Sequence, residues 1–363
     1  MNARDTTGRH LKRLRAEGVS VWLRGCPEPG EDGALARLAA DWDLSGVTWT
    51  VEDVLAAGGG TRFAALRERG HDRARARRGL SALPARAACD ALLPRYEASR
   101  GRVGLVSADL PPTDAPEQEG LATWWAVDRP NLLVKVPGTP DRLDAVAALV
   151  AAGVGVDVTP VFSAAHHERV LAALSTGLER AWEANRPLSA ISTAVTVPVA
   201  PIDRLVDRRL RERGLAARRY PIGESARAHA RLVYHLHEQV TSAPRWQRLA
   251  SHGAQFPHLV WTEIAPAGHP AHYADGLVGW GVVHAFGRAE LASIGTGAAL
   301  VGDALSGRHI TARQDLEALY AFGLSYEELA AELEQAWLAA DARRWQQVWE
   351  GTPGHRSASC PAS

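Results

Sequence analysis

Short apolar or β-branched runs alternate along this chain with longer segments rich in alanine, leucine and arginine that carry helical periodicity. The runs Val19–Leu23, Gly46–Thr50, Val103–Leu110, Leu132–Val136, Gly155–Phe162, Ala190–Val197, Leu259–Ile264 and Val282–Phe286 read as strands. The stretches between them, such as Asp141–Ala152 and Ala164–Asn185, read as helices. Strands alternating with helices eight times over about 270 residues match a single α/β domain of the (β/α)8 TIM-barrel type. The expected organisation is a helical lead-in over 1–17, the barrel over 18–350 with helices at its C-terminal end, and a flexible tail over 351–363. A doubly wound sheet would place a glycine-rich phosphate turn after its first strand. Gly58-Gly-Gly60 follows a helical segment instead, and Gly295-Thr-Gly297 lacks the third glycine and the lysine such turns need. Both clusters read as helix stops.

Composition narrows the function classes. Lysine and arginine together number 41, as do aspartate and glutamate, so no polyanionic partner is implied. The arginine-rich run Arg67–Arg78 is broken by Glu68 and Asp72 and reads as a solvated helix face, not a nucleic-acid surface. The longest apolar stretch, Ala145–Val156, is too short to span a bilayer, and the polar start is no secretory signal. Three scattered cysteines, Cys26, Cys89 and Cys360, form no CxxC pair, which fits a reducing, cytoplasmic setting. His166 and His167 are adjacent, His235 and His237 are two apart, and no HExxH occurs, so neither a metal site nor a cofactor is expected. The twelve tryptophans, Trp124 and Trp125 among them, are expected to fill space between barrel and helices.

Only two lysines occur, Lys12 and Lys135. Arginine stays protonated near neutral pH, whereas a desolvated lysine amine sheds its proton, and only the free amine attacks a carbonyl. Lys135 lies in the apolar run Asn131-Leu-Leu-Val-Lys-Val-Pro-Gly-Thr139, where burial would favour the neutral amine and a Schiff-base role. The plain alternative is a strand-end lysine that extends into water.

These segments together resemble the transaldolase family, in particular its longer bacterial subgroup. The likeness is carried by Gly18-Val-Ser-Val-Trp-Leu23, Gly46-Val-Thr48, Asn131-Leu-Leu-Val-Lys135, the GVGVDVTPVFS stretch over Gly153–Ser163, Ile202-Asp203 with Arg208–Leu210, and Phe322-Gly-Leu-Ser-Tyr-Glu-Glu-Leu329. The resemblance implies a TIM barrel with an amine nucleophile, Lys135, on its fourth strand. It also implies departures. Arg24 and Gly25 stand where the family carries its first-strand aspartate, and Thr50 stands at its asparagine. Asp109 replaces the water-activating glutamate and Asp157 an asparagine that contacts the Schiff base, while Thr159 is kept. Val197, Ala265 and Ala267 align with the phosphate-binding positions.

A phosphate needs cations or clustered backbone donors, so the substrate is expected to lack phosphate at that end, unless Arg24 or Arg204 supplies the clamp. Asp157 either holds the iminium by charge or pairs with protonated Lys135 and opposes attack. Glu263, near the end of the seventh strand, is either a substitute acid–base or a solvated loop carboxylate. The expected catalytic set is therefore Lys135, Asp109, Thr159, Asp157 and Glu263, with substrate contacts from Thr48, Thr50, Ser192 and Arg24. Two functions follow. The first is a diverged Schiff-base enzyme making or breaking a carbon–carbon bond in a small carbonyl substrate, within specialised sugar or natural-product metabolism. The second is a catalytically silent barrel used for binding or scaffolding. The expected partner is that small molecule, with no nucleic acid and no membrane, and the expected assembly is a monomer or homodimer.

Overall fold

The computed structural model describes residues 3–25, 33–214, 224–264, 270–293 and 302–350. All eight apolar runs become parallel strands: β1 (Ser20–Arg24), β2 (Gly46–Trp49), β3 (Leu105–Asp109), β4 (Leu132–Pro137), β5 (Val156–Thr159), β6 (Thr193–Pro198), β7 (His258–Thr262) and β8 (Val282–Gly287). Each pairs with the next in sequence, and β8 pairs with β1, which closes the barrel. Closure leaves no sheet edge to protect.

The lead-in forms α1 (Ala3–Ala16), and α2 (Ala34–Asp41) follows β1. After β2 come α3 (Val51–Ala56), α4 (Gly59–Glu68) and the long α5 (Arg73–Ala98). Gly58, at φ +72°, ends α3 and opens α4, so the glycine cluster is a break between two helices. Helices α6 (Pro116–Val127), α7 (Leu143–Ala151) and α8 (Ala164–Glu183) each follow one strand. Helices α9 (Ala200–Glu212), α10 (Ser225–Ser242) and α11 (Pro244–Ser251) separate β6 from β7, and α12 (Pro270–Gly276) follows β7. The chain closes with α13 (Arg288–Ser293), α14 (His309–Glu317) and α15 (Tyr326–Glu350). The tail over 351–363 and the Gly295-Thr-Gly297 cluster lie outside the described residues. Among the described residues, no helix is long and apolar enough to cross a membrane.

Side chains alternate along each strand. One set, including Val21, Leu23, Val134, Val136, Val195 and Val197, joins the core shared with the helices. The other set faces the lumen, where Trp22, Leu105, Leu133, Ala194, Val260, Val283 and Ala285 pack together over Tyr96 from α5. Trp22, Trp49, Trp246, Trp261 and Trp345 are fully buried as expected, but Trp125 and Trp280 are 71% and 79% exposed, so not every tryptophan serves the core.

The lumen closes around small residues as well as large ones. A Cβ added to Gly155 would stand 2.5 Å from the Leu132 carbonyl oxygen and 3.0 Å from Leu133, backbone and core that cannot yield easily. Gly155→Ala is therefore expected to destabilise the fold by about 1–3 kcal/mol in urea unfolding. Gly8→Ala, in α1 with nothing within 4 Å of the added carbon, is the matched control and should be neutral or stabilising. Equal stability of the two variants would show that the β4–β5 approach is looser than described.

Candidate active site

The C-terminal ends of the strands surround a cavity of about 390 Å³, the end of this architecture where chemistry is usually housed. Lys135 enters it from β4 because Leu133, two residues earlier, faces the lumen while Val134 and Val136 face the helices. Strand register then fixes its neighbours: Asp109 of β3 pairs with Lys135 on one side, and Asp157 of β5 on the other. Lys135 is only 9% exposed, so it does not extend into water as a surface lysine would.

The Lys135 Nζ lies 2.7 Å from Asp109 Oδ1 and donates to Thr48 Oγ1 at 2.8 Å. The second oxygen of Asp109 accepts the Val51 N–H at 2.9 Å, at the start of α3. Asp157, 1% exposed, accepts from Ser107 Oγ at 2.6 Å and from Thr196 Oγ1 at 2.8 Å. Burial pushes the Lys135 pKa down, but the Asp109 and Asp157 carboxylates outweigh it and hold the pKa above the usual lysine value. Lys135 thus rests as an ammonium ion. This corrects the expectation that its apolar strand would favour the neutral amine: its adjacent residues Val134 and Val136 are apolar, but their side chains point away from Nζ. Burial raises the Asp157 pKa, against the pull of Lys135, Ser107 and Thr196.

The other expected residues divide. Thr159 lines the cavity at the end of β5, and its hydroxyl makes no hydrogen bond with a described residue. Thr50 lines it too, but its hydroxyl donates to Asp53 Oδ2 at 2.9 Å within the capping box of α3. Burial, opposed by those Thr50 contacts, pushes the Asp53 pKa up to about 6. Arg24 ends β1 at the cavity and pairs with Glu290 at 2.8 Å. Glu263 lines the cavity at φ +50°, a strained backbone for a non-glycine residue of the kind found at functional sites. Burial raises its pKa, although Arg204 lies 3.3 Å away.

Ser192 does not belong to this set. It precedes β6, at the N-terminal end of the barrel beside the Tyr96 phenol, and is not brought to the cavity where a substrate contact is expected. Val197 also proves uninformative about phosphate, because it faces the helical layer; Thr196 is the β6 residue that faces the cavity. Ala265 and Ala267 lie outside the described residues.

Sequence reasoning missed the contribution of α15, whose Trp337, Leu338, Asp341 and Arg344 form one wall of the cavity. Arg344 pairs with Glu52 of α3 at 2.8 Å. Burial, with Asp109 and Glu52 nearby, pushes the Asp341 pKa up to about 7, against the opposing pull of Lys135 and Arg344. A signal existed: Asp341 lies four residues before Trp345 and seven before Val348, both fully buried, so a carboxylate interrupts the apolar stripe of the helix.

The electrostatic arrangement gives a direct expectation. Asp109→Asn removes the nearest carboxylate and should lower the Lys135 pKa. Acetylation of Lys135 by acetic anhydride, followed against pH by peptide mass spectrometry, should then reach half-maximal rate at a lower pH than in the wild type. An unchanged midpoint would mean that Asp109 does not hold the charge.

Sequence comparison agrees with this geometry. Residues 60–350 match the transaldolase/fructose-6-phosphate aldolase family. The transaldolase of Parafrankia sp. (strain EAN1pec) is 35% identical over 93% of this chain and 95% of its own length. That of Acidothermus cellulolyticus is 33% identical over 93% of this chain and 94% of its own, and transaldolase 1 of Streptomyces avermitilis is 33% identical over 95% of each. A closed eight-stranded parallel barrel, a family match over most of the chain and relatives aligned over nearly their full length place this protein in the transaldolase/fructose-6-phosphate aldolase family.

Proposed function

We propose that this protein makes or breaks a carbon–carbon bond in a small carbonyl substrate through a Schiff base on Lys135, as a diverged transaldolase-like enzyme of specialised sugar or natural-product metabolism. The observation that carries this reading is a buried lysine at the cavity floor, 2.7 Å from a carboxylate able to take its proton. Asp109 accepts a proton from Lys135, and the freed amine adds to the substrate carbonyl, forming the C–N bond. Asp109 returns that proton to the carbonyl oxygen, giving a carbinolamine. It then takes a proton from nitrogen and delivers it to the hydroxyl, which leaves as water. Thr159, with its open hydroxyl, is placed to hold that water. The product is a cationic iminium, which the buried Asp157 charge stabilises and which accepts the electron pair of the breaking bond.

A substrate without phosphate suits this cavity. Among the described residues, its walls carry the carboxylates Glu52, Asp53, Asp109, Asp157, Glu263 and Asp341 against Arg24, Lys135 and Arg344. Arg24 and Arg344 are already paired with Glu290 and Glu52. A phosphate dianion approaching either guanidinium would compete with its carboxylate partner and meet the negative charge of the other lining acids.

One observation favours the silent-barrel alternative: the Lys135 amine pairs with Asp109 at 2.7 Å, which favours the ammonium form, and that form cannot attack. Trapping separates the two readings. Borohydride treatment with dihydroxyacetone should leave a reduced adduct on Lys135, and Lys135→Arg should abolish it while the circular dichroism stays native. An adduct on Lys12 alone, or none at all, would sink the covalent reading.

The transfer from fructose 6-phosphate to erythrose 4-phosphate should run at least ~10²-fold slower than for Streptomyces avermitilis transaldolase 1 assayed alongside. The lining guanidiniums Arg24 and Arg344 are already engaged by Glu290 and Glu52, and losing two charge-assisted phosphate contacts of ~1.5–3 kcal/mol each slows the reaction by ~10²-fold or more. A comparable rate would show that the site still handles phosphorylated sugars.

A further inference from the structure

Schiff-base cleavage of a carbon–carbon bond needs one more group than the imine chemistry uses. It must take the proton from the substrate hydroxyl on the carbon that becomes an aldehyde. The cavity carboxylates are mostly committed. Asp109 binds Lys135 and the Val51 N–H, Asp157 accepts from Ser107 and Thr196, and Asp53 caps α3 through Thr50. Glu263 pairs with Arg204 and Glu52 with Arg344. Asp341 lines the same cavity and makes no hydrogen bond or ion pair with a described residue. Its helix is firmly seated: Trp345 and Val348 are fully buried, Arg344 ties α15 to α3, and Trp337 meets Phe162 edge-on at 6.1 Å between ring centres.

Building on the Schiff-base reading, we infer that Asp341 is the acid–base residue that exchanges a proton with the substrate hydroxyl beside the bond that breaks or forms. In the cleaving direction the Asp341 carboxylate takes the hydroxyl proton, and the O–H electron pair becomes the new C=O bond. The carbon–carbon pair becomes the enamine double bond, and the iminium nitrogen takes up its own π pair. Condensation runs the same steps backwards, with the carboxylic acid donating to the aldehyde oxygen.

The surroundings tune this group for both directions. Burial above all, then the negative charge of Asp109 and Glu52, pushes its pKa up to about 7 against the positive charge of Lys135 and Arg344. Arg24, Asp53, Asp157 and Glu263 complete the charged wall, while α4 and α9 pack against α15 without placing a charged residue in the cavity lining.

Two measurements on Asp341→Asn test this role: borohydride trapping with dihydroxyacetone, and condensation of dihydroxyacetone with glyceraldehyde. The variant should keep the Lys135 adduct at wild-type yield while condensation falls ~10²–10⁴-fold. In the wild type, condensation kcat/KM should fall as pH rises through about 7, where the acid form is lost, and the variant should lose that limb. Asp341→Glu, which keeps the carboxyl, should recover part of the rate. Wild-type condensation in Asp341→Asn with the pH limb intact overturns the assignment. Loss of the adduct together with condensation also overturns it, by assigning the carboxyl to imine formation. If the wild-type protein itself forms no Lys135 adduct, the Schiff-base reading has failed and this role goes with it. If it forms the adduct without condensing, the carbon–carbon reading falls in the same way.

Discussion

Taking an ammonium group out of water costs several kcal/mol unless opposite charge and hydrogen bonds replace the lost hydration. Lys135 is buried in the barrel, and the rest of the site is organised around meeting that cost. Parallel register alone puts Asp109 and Asp157 on the flanking strands at the same level, so the compensation is built into backbone pairing and does not depend on loop conformation. The second shell follows from the same need. Asp157 would be an expensive buried carboxylate without Ser107 and Thr196, and Asp109 is steadied by the first N–H of α3, that of Val51.

On the proposed Schiff-base reading, that arrangement opposes attack in its resting state and enables it in the next. A lysine paired at 2.7 Å does not attack, but its partner is also the base that will release it. A carbonyl entering the cavity displaces whatever solvates the pair and lowers the local dielectric, which makes shared protons more mobile between groups of opposing charge. Three carboxyl environments differ in the way the proposed tasks require. Asp157 is locked by two hydroxyl donors, Asp109 is bonded to the amine itself, and Asp341 is left open with its pKa raised to about 7. Environments that push like groups apart are the usual mark of distinct acid–base assignments.

The barrel was legible because both faces of a parallel strand are buried, so each strand announces itself as an apolar run between helical periods. Lys135, Asp109, Asp157 and Thr159 were legible for a related reason: a polar residue inside such a run must face the lumen mouth or break the core. The misreadings have equally specific causes. Resemblance places Val197 at a phosphate-binding position, yet period-two alternation sends its side chain outward, and Ser192 sits at the N-terminal end of β6, away from the cavity. The Lys135 pKa was judged from its sequence neighbours, which point away, whereas its spatial neighbours are carboxylates contributed by other strands. Asp341 comes from a helix more than two hundred residues downstream, and only tertiary packing of α15 against α3, α4 and α9 brings it to the cavity.

The near-absence of lysine also gains a physical meaning from the fold. Lys12 is exposed on α1, far in sequence from the cavity, and every other fixed cation of the chain is an arginine, which holds its proton wherever it sits. Arginine suits the ion pairs that ring the cavity, since Arg24, Arg204 and Arg344 must anchor Glu290, Glu263 and Glu52 without changing charge as protons move nearby. The one buried position where the proposed mechanism requires a cation to become a neutral nucleophile is the one that keeps lysine. Fixed charge at the rim and transferable charge at the floor are separate requirements, and the two basic side chains meet them separately.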